Sequence, residues 1–180
     1  ALAEARLLLS RMSGGVDRAI KRVPQYLKMN AGLIYERLRW RRKKGKNTFA
    51  QELFKSPPKA LIRPLRWWRE REILARRALT EGDISIAYKL IKNHGLEKYH
   101  PSGYVEAEWL AGWVALRFLG EKEAAFSHFT RLYDAVFMPI SRARAAYWAG
   151  RAAEAEQPQP SAESRRKEGG PGAVESPARE

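Results

Sequence analysis

Residues 37–46, RLRWRRKKGK, place seven lysines and arginines and one tryptophan in ten positions. Such a run can grip a polyanion, lie on an anionic membrane surface, or simply finish a helix, whose C-terminal carbonyls favour cations. Arg39, Arg41, Arg42, Lys43 and Lys44 are the candidate contacts, and Gly45 marks a helix end. Trp40, at helical spacing from Leu33 and Arg37, reads as core. A second group is Trp67, Trp68 and Arg69. Successive residues on a helix point about 100° apart, so the two indoles cannot face one way. One is expected in the core and the other partly exposed, where an indole suits stacking on a sugar ring. Glu70 and Glu72, among Arg66, Arg69, Arg71, Arg76 and Arg77, are expected to make exposed ion pairs of little worth. The three histidines, His94, His100 and His128, share no close helical spacing, and no carboxylate completes a ligand set. No metal site and no cofactor are expected. Trp109, Trp113, Tyr147 and Trp148 read as packing residues, and His94 as a helix end closed by Gly95.

The charge around these residues is lopsided. The 180-residue chain has a net charge of +14, yet residues 1–77 hold 21 basic and 6 acidic residues while residues 78–156 hold 9 and 10. A field of one sign over the first half attracts polyanions without naming one. Cysteine is absent, which excludes disulfides and thiolate metal sites. No run of 18 uncharged apolar residues is present, so no membrane-spanning helix is expected. The chain opens with Ala1 inside an apparent helix and reads as a fragment, so a missing leader says nothing about export.

The elements that must position these side chains are helices. Apolar residues recur at spacings of three and four, and Gly and Pro fall between the periodic segments. The turns repeat. Gly14, Gly45, Gly82 and Gly120 are each followed five residues later by Ala19, Ala50, Ala87 and Ala125, and four further on by Val23, Phe54, Ile91 and Phe129. Each glycine is expected to end a first helix, each alanine to let a second helix approach, and each apolar residue to fill the gap between them. Repeats of helix pairs, with glycines 31, 37 and 38 residues apart, predict an all-α solenoid of tetratricopeptide-like helix pairs over residues 1–156. One unit is laid out as EWLAGWVALRFLG, with Trp109, Gly112, Trp113 and Leu116 on one face, then EKEAAFSHFTRLYDAV; YWAG later repeats WLAG. Residues 157–180 are rich in Pro, Gly, Ser and charge, are expected to be disordered, and cut the array inside a repeat.

The ordered series AGLIYERLRWRRKKGK, RPLRWWREREILARRAL, AYKLIKNHGL, AEWLAGWVALRFLG and PISRARAAYWAGRAAEA resembles the N-terminal superhelical part of soluble lytic murein transglycosylases, particularly alphaproteobacterial ones, over roughly residues 1–156. The resemblance implies a periplasmic, non-catalytic scaffold that embraces peptidoglycan glycan strands. The family's activity, 1,6-anhydro-forming cleavage by a single glutamate in a Glu-Ser context, belongs to a C-terminal lysozyme-like domain. Glu-Ser occurs here at Glu163–Ser164 and Glu175–Ser176, but without the Gly-Leu-Met-Gln segment that follows it in the family. No catalytic residue is therefore carried over, and the chain alone is expected to be inactive. Arg39, Arg41, Arg42, Lys43, Lys44, Trp67, Trp68 and Arg69 become the candidate murein contacts. The competing reading is a tetratricopeptide-like module that binds a peptide partner. Nucleic acid would want aromatics interleaved with the basic run, and only Trp40 is there.

Overall fold

The computed structural model describes residues 1–58 and 61–156, and among them the fold is all-α, with no strand. The helices are α1 (Leu2–Ser10), α2 (Val16–Lys21), α3 (Ala31–Lys43), α4 (Asn47–Glu52), α5 (Pro64–Thr80), α6 (Ile84–Ile91), α7 (Pro101–Val114), α8 (Lys122–Ala135) and α9 (Pro139–Glu156). A 3-10 turn covers Gln25–Leu27, and a π-helical turn, Ala115–Leu119, extends α7. Helices adjacent in sequence pack as pairs, α1 with α2, α3 with α4, α5 with α6 and α7 with α8, and α9 lies against α8. The first helices also touch in succession, α1 to α3, α3 to α5 and α5 to α7.

The repeated turn is a Schellman motif, in which a left-handed residue lets two backbone N–H groups turn back onto the last helical carbonyls. After α3, Gly45 has φ +72°, its N–H donates to the Arg42 carbonyl at 3.1 Å, and the Lys46 N–H donates to the Arg41 carbonyl at 2.9 Å. After α5, Gly82 has φ +84°, its N–H reaches the Leu79 carbonyl at 3.2 Å, and that of Asp83 the Ala78 carbonyl at 2.8 Å. Gly120, at φ +67°, closes the π-helical turn. The first unit departs from the expectation. Its left-handed residue is Met12, at φ +58°, with Met12 N–H on the Leu9 carbonyl at 3.2 Å and Ser13 N–H on the Leu8 carbonyl at 3.0 Å. Gly14 lies beyond this motif, and it is its neighbour Gly15 that takes a positive φ, at the N-terminus of α2.

The alanines behave as their spacing demands. Ala19, Ala50, Ala87 and Ala125 are each 0% exposed, and Val23, Phe54, Ile91 and Phe129 are all buried beside them. At α7 the approach is closer still. A Cβ on Gly112 would meet three atoms of the Phe129 ring at 2.9–3.1 Å, so α7 and α8 pack at this distance only because residue 112 has no side chain. Two apolar clusters result. Ala5, Leu9, Val16, Ala19, Val23 and Leu33 form a small one, and Trp40, read from the sequence as core, is partly buried against it. The large one runs from Ile34 to Ala152. The 157–180 segment, with both Glu-Ser pairs, lies outside the described residues.

Candidate functional site

The basic run is the last turn of α3 and its cap, as the helix-end reading requires: Arg41, Arg42 and Lys43 occupy the final turn and Lys44 the cap. Its side chains divide into two kinds. Arg42 reaches across to α5 and grips Glu70 with both ends of its guanidinium, Nε on one carboxylate oxygen and Nη2 on the other at 3.0 Å. This hydrogen bond raises the Arg42 pKa. Arg41 donates from Nη1 to the Phe49 carbonyl at 2.5 Å and lies 5.7 Å from the Phe49 ring, tying α3 to α4; burial, then the like charge of Arg37, lowers its pKa. These two arginines hold helices together. The side chains of Arg39, Lys43 and Lys44 make no hydrogen bond or ion pair among the described residues, and both lysines are exposed. Arg69 on α5 is likewise exposed and unpaired.

Glu70 corrects a sequence expectation. It is 3% exposed, not a surface partner, because it sits on the side of α5 that faces α3. Glu72 does pair at the surface, with Arg76 Nε at 2.9 Å. The tryptophan pair also differs from expectation. The indoles do point in different directions, but both are buried, Trp67 at 1% and Trp68 at 3%. Helix α5 has neighbours on two sides. Trp67 meets Tyr35 of α3 at 5.5 Å and Phe54 at 6.3 Å, whereas Trp68 meets His94 at 6.0 Å, next to α6 and α7. Core packing thus occupies both rings. Of the packing residues read from sequence, Trp109 stacks near Phe129 and Trp148, each at 5.7 Å, and Trp113 near Phe118 at 5.0 Å. Tyr147 is instead 61% exposed.

The histidines come together in a way their spacing hides. His94, just past α6, and His128 on α8 converge on Glu108 of α7, which is 2% exposed. The Leu96 N–H donates to His94 Nδ1 at 3.0 Å, which leaves the His94 proton on Nε2, 3.3 Å from Glu108 Oε1. His128 Nδ1 lies 2.6 Å from Oε2, and its Nε2 is 3.4 Å from the Tyr88 hydroxyl. Arg131 closes the set, with Nε 2.8 Å from Oε1 and Nη2 3.1 Å from Oε2. Burial pushes the Glu108 pKa up, but the hydrogen bonds from His128, His94 and Arg131 outweigh it and hold the carboxyl well below the usual carboxylate range. A general acid needs the opposite shift, toward the working pH. Glu108 is therefore an ionised acceptor that locks α6, α7 and α8, and its lone pairs are already taken. Among the described residues, no group of His, Asp and Glu is arranged to hold a metal ion. The sequence signal for this cluster is a carboxylate between Ala107 and Ala111 on the buried side of an apolar helix, where a charge persists only if paired.

Arg71 is a second buried charge, 6% exposed and without a carboxylate. Its Nη1 donates to the Leu90 carbonyl at 2.9 Å near the end of α6, and its guanidinium lies 4.2 Å from the Phe54 ring. Burial lowers its pKa to about 10.

Two concavities open between successive first helices. One, of about 300 Å³, lies between α1, α3 and the start of α5 and is lined by Arg6, Gly32, Tyr35, Glu36, Arg63 and Arg66 among others. The other, of about 410 Å³, lies between α5 and α7 beside Trp68, Arg69, Glu72 and Glu106. No family model, curated protein or solved structure matches the chain. Fold and site together define an all-helical, strongly basic protein built of consecutive helix pairs. Among the described residues, no helix is long and apolar enough to cross a membrane.

Proposed function

We propose that this chain is a non-catalytic superhelical scaffold of a peptidoglycan lytic transglycosylase, acting in the periplasm, whose stacked helix pairs form a solenoid that lies along murein strands. Glycan cleavage would belong to a lysozyme-like domain not represented in residues 1–156. The observation that carries the reading is the set of unpaired basic side chains on successive first helices: Arg6 on α1, Arg39 and Lys43 on α3, and Arg66 and Arg69 on α5. Murein peptide stems carry free carboxylates, and a row of cations offers them many weak contacts. The repeated turn, the buried alanines and the ordered motif series support the same reading. The test is retention on purified, protein-free sacculi at moderate salt. Retention above a protein of equal net charge, with no release of anhydro-muropeptides, is expected; retention no better than that control would sink it.

A groove of about 410 Å³ between α4 and α6 favours a second reading, a tetratricopeptide-like module for a peptide partner. Phe54, Ile86 and Leu90 line it, with Glu52, Lys55 and Lys89 around them. Capture of a defined protein partner by a chain that ignores sacculi would favour this reading.

A further inference from the structure

We propose that one end of the helix pairs, where each second helix hands on to the next first helix, docks on a membrane surface rich in anionic lipid. The four connections at that end are residues 22–30, 53–63, 92–100 and 136–138. Among the described residues, every large apolar side chain that is more than two-thirds exposed lies in them or in the first turn of α9: Tyr26, Ile62, Tyr99, Phe137, Met138 and Ile140, at 69–88%. Apolar residues scattered singly over a surface are ordinary, but their confinement to one end marks a place of contact. Charge follows the same division. The four connections carry seven lysines and arginines against one acid, Glu97. The four turns at the opposite end, residues 11–15, 44–46, 81–83 and 120–121, carry three bases and three acids and no exposed large apolar residue. Of the described cations in the connections, only Arg22 is in an ion pair, with Glu4.

The packing brings the connections side by side. A short glycine turn reverses the chain, so the helices of a pair run antiparallel and each connection leaves from the end away from the turn. Successive first helices run parallel. Tyr35 and Trp67, near the starts of α3 and α5, meet at 5.5 Å, while Arg77, near the end of α5, donates to the Arg42 carbonyl near the end of α3 at 3.4 Å. Asn30 and Ile62 accordingly line one hollow, and Pro57, Pro58 and Leu61 line another with Asn93, Gly95 and Tyr99. In the next pair Gly112 faces Phe129, Glu108 binds Arg131, and Tyr104 feels the charge of Asp134, so α8 ends where α7 begins. That brings Phe137 and Met138 to the same end. With neighbouring helices about 10 Å apart, the tips spread over roughly 30 Å.

A row of separate tips, unlike a cleft, suits a partner that yields around each one. At a bilayer interface the tyrosine rings sit at headgroup level with their hydroxyls wet, and Phe, Met and Ile reach the acyl boundary. Lysines and arginines beside them keep their charges among anionic headgroups. A glycan offers no hydrocarbon to Ile62, Met138 or Ile140. The inference does not rest on the murein reading.

The test is co-sedimentation of the whole chain with vesicles of phosphatidylcholine alone, and with vesicles containing about 30% phosphatidylglycerol, whose surface is negative. Binding to the second kind alone, weakened by salt, is expected. Phe137→Ser is expected to weaken it about tenfold, and Lys98→Gln about fivefold. The matched controls are Tyr147→Ser, half-way along α9 at 61% exposure, and Lys44→Gln, in an opposite turn; both are expected to bind as wild type. All four side chains are exposed, and melting curves separate loss of binding from loss of fold. The chain has no cysteine, so Met138→Cys and Lys44→Cys each take a single polarity-sensitive fluorophore. The label at 138 is expected to shift to the blue on anionic vesicles and the label at 44 to stay unchanged. No binding, equal binding to both kinds of vesicle, equal losses in the variants and their controls, or equal shifts of the two labels would overturn the proposal. So would loss of sacculus retention in Phe137→Ser with no vesicle binding by the wild type, which would assign this end to glycan. Vesicle binding by a chain that ignores sacculi would leave the proposal standing and remove only the murein reading.

Discussion

Glu108→Gln tests the buried network most directly. The substitution keeps the shape of the side chain, removes its charge, and replaces one acceptor oxygen by an NH2 group. His94, His128, Arg131 and Tyr104 all hydrogen-bond to the carboxylate, so the new NH2 meets a group that donated in the wild type whichever way it turns. Arg131 is 42% exposed and can swing into water, so little of the loss belongs to it. His94 and His128 are buried and cannot. One imidazole N–H left unmet costs about 1–3 kcal/mol. Turning the remaining charge-assisted hydrogen bond into a neutral one adds about 1 kcal/mol. The expected loss is therefore about 2–4 kcal/mol near pH 7, read as a lower urea midpoint at unchanged slope. The pH dependence has a definite sign. Glu108 is held ionised in the folded state, its pKa depressed below the unfolded value of about 4.3. Its contribution is then fully present above that unfolded value and is lost as pH falls toward the depressed folded one. The stability gap between wild type and Glu108→Gln should narrow below about pH 4.3. A loss under about 1 kcal/mol at pH 7, or a gap that widens with acid, would refute the network as described.

Other substitutions probe the packing. Gly112→Ala gains about 1 kcal/mol of helix propensity but drives a Cβ into the ring of Phe129, which is 0% exposed; a net loss of about 1–2 kcal/mol is expected in thermal unfolding. Met12→Gly should raise stability by about 1 kcal/mol, since it removes the steric cost of a left-handed methionine from a Schellman turn; a fall in melting temperature would contradict the assignment. A double-mutant cycle on Arg42 and Glu70 should return a coupling of about 1–3 kcal/mol, against about 0.5 kcal/mol for the exposed pair Arg76–Glu72. Arg71→Met should be neutral or stabilising by about 1 kcal/mol, because this buried cation has a carbonyl and a ring for company but no carboxylate.

What was legible in the sequence was local. A glycine, then an alanine five residues on, then a bulky apolar residue four further, describes one turn and the helix after it. That code was met in every second helix, from Ala19 to Phe129. It failed at the first turn, where Met12 holds a conformation its side chain does not advertise, and Gly14, which fits the spacing, lies outside the motif. The tryptophans failed for another reason. Adjacent residues on a helix do point apart, but that places one of them in solvent only if the helix has a single buried side. Helix α5 contacts α3 on one side and α6 and α7 on the other, and that crowding is a property of the assembled pairs. The Glu108 network was hidden by distance along the chain: its donors lie 14, 20 and 23 residues away and meet only when α6, α7 and α8 have packed.

Those buried carboxylates bear on the surface charge as well. Residues 1–77 contain six acids against 21 bases, and only one of the three acids that pair, Glu70, does so out of solvent. Glu70 is enclosed by Arg42, Glu4 binds Arg22, Glu72 binds Arg76, and Glu36 sits in the α1–α3–α5 cavity without a partner. No arrangement of six carboxylates neutralises 21 cations, so the excess must face outward. The run RLRWRRKKGK divides along this line. Arg41 and Arg42 are consumed in joining α3 to α4 and α5, while Arg39, Lys43 and Lys44 remain free. A cation excess that serves no internal contact costs the folded chain self-repulsion. An acidic partner along the first helices would relieve that repulsion.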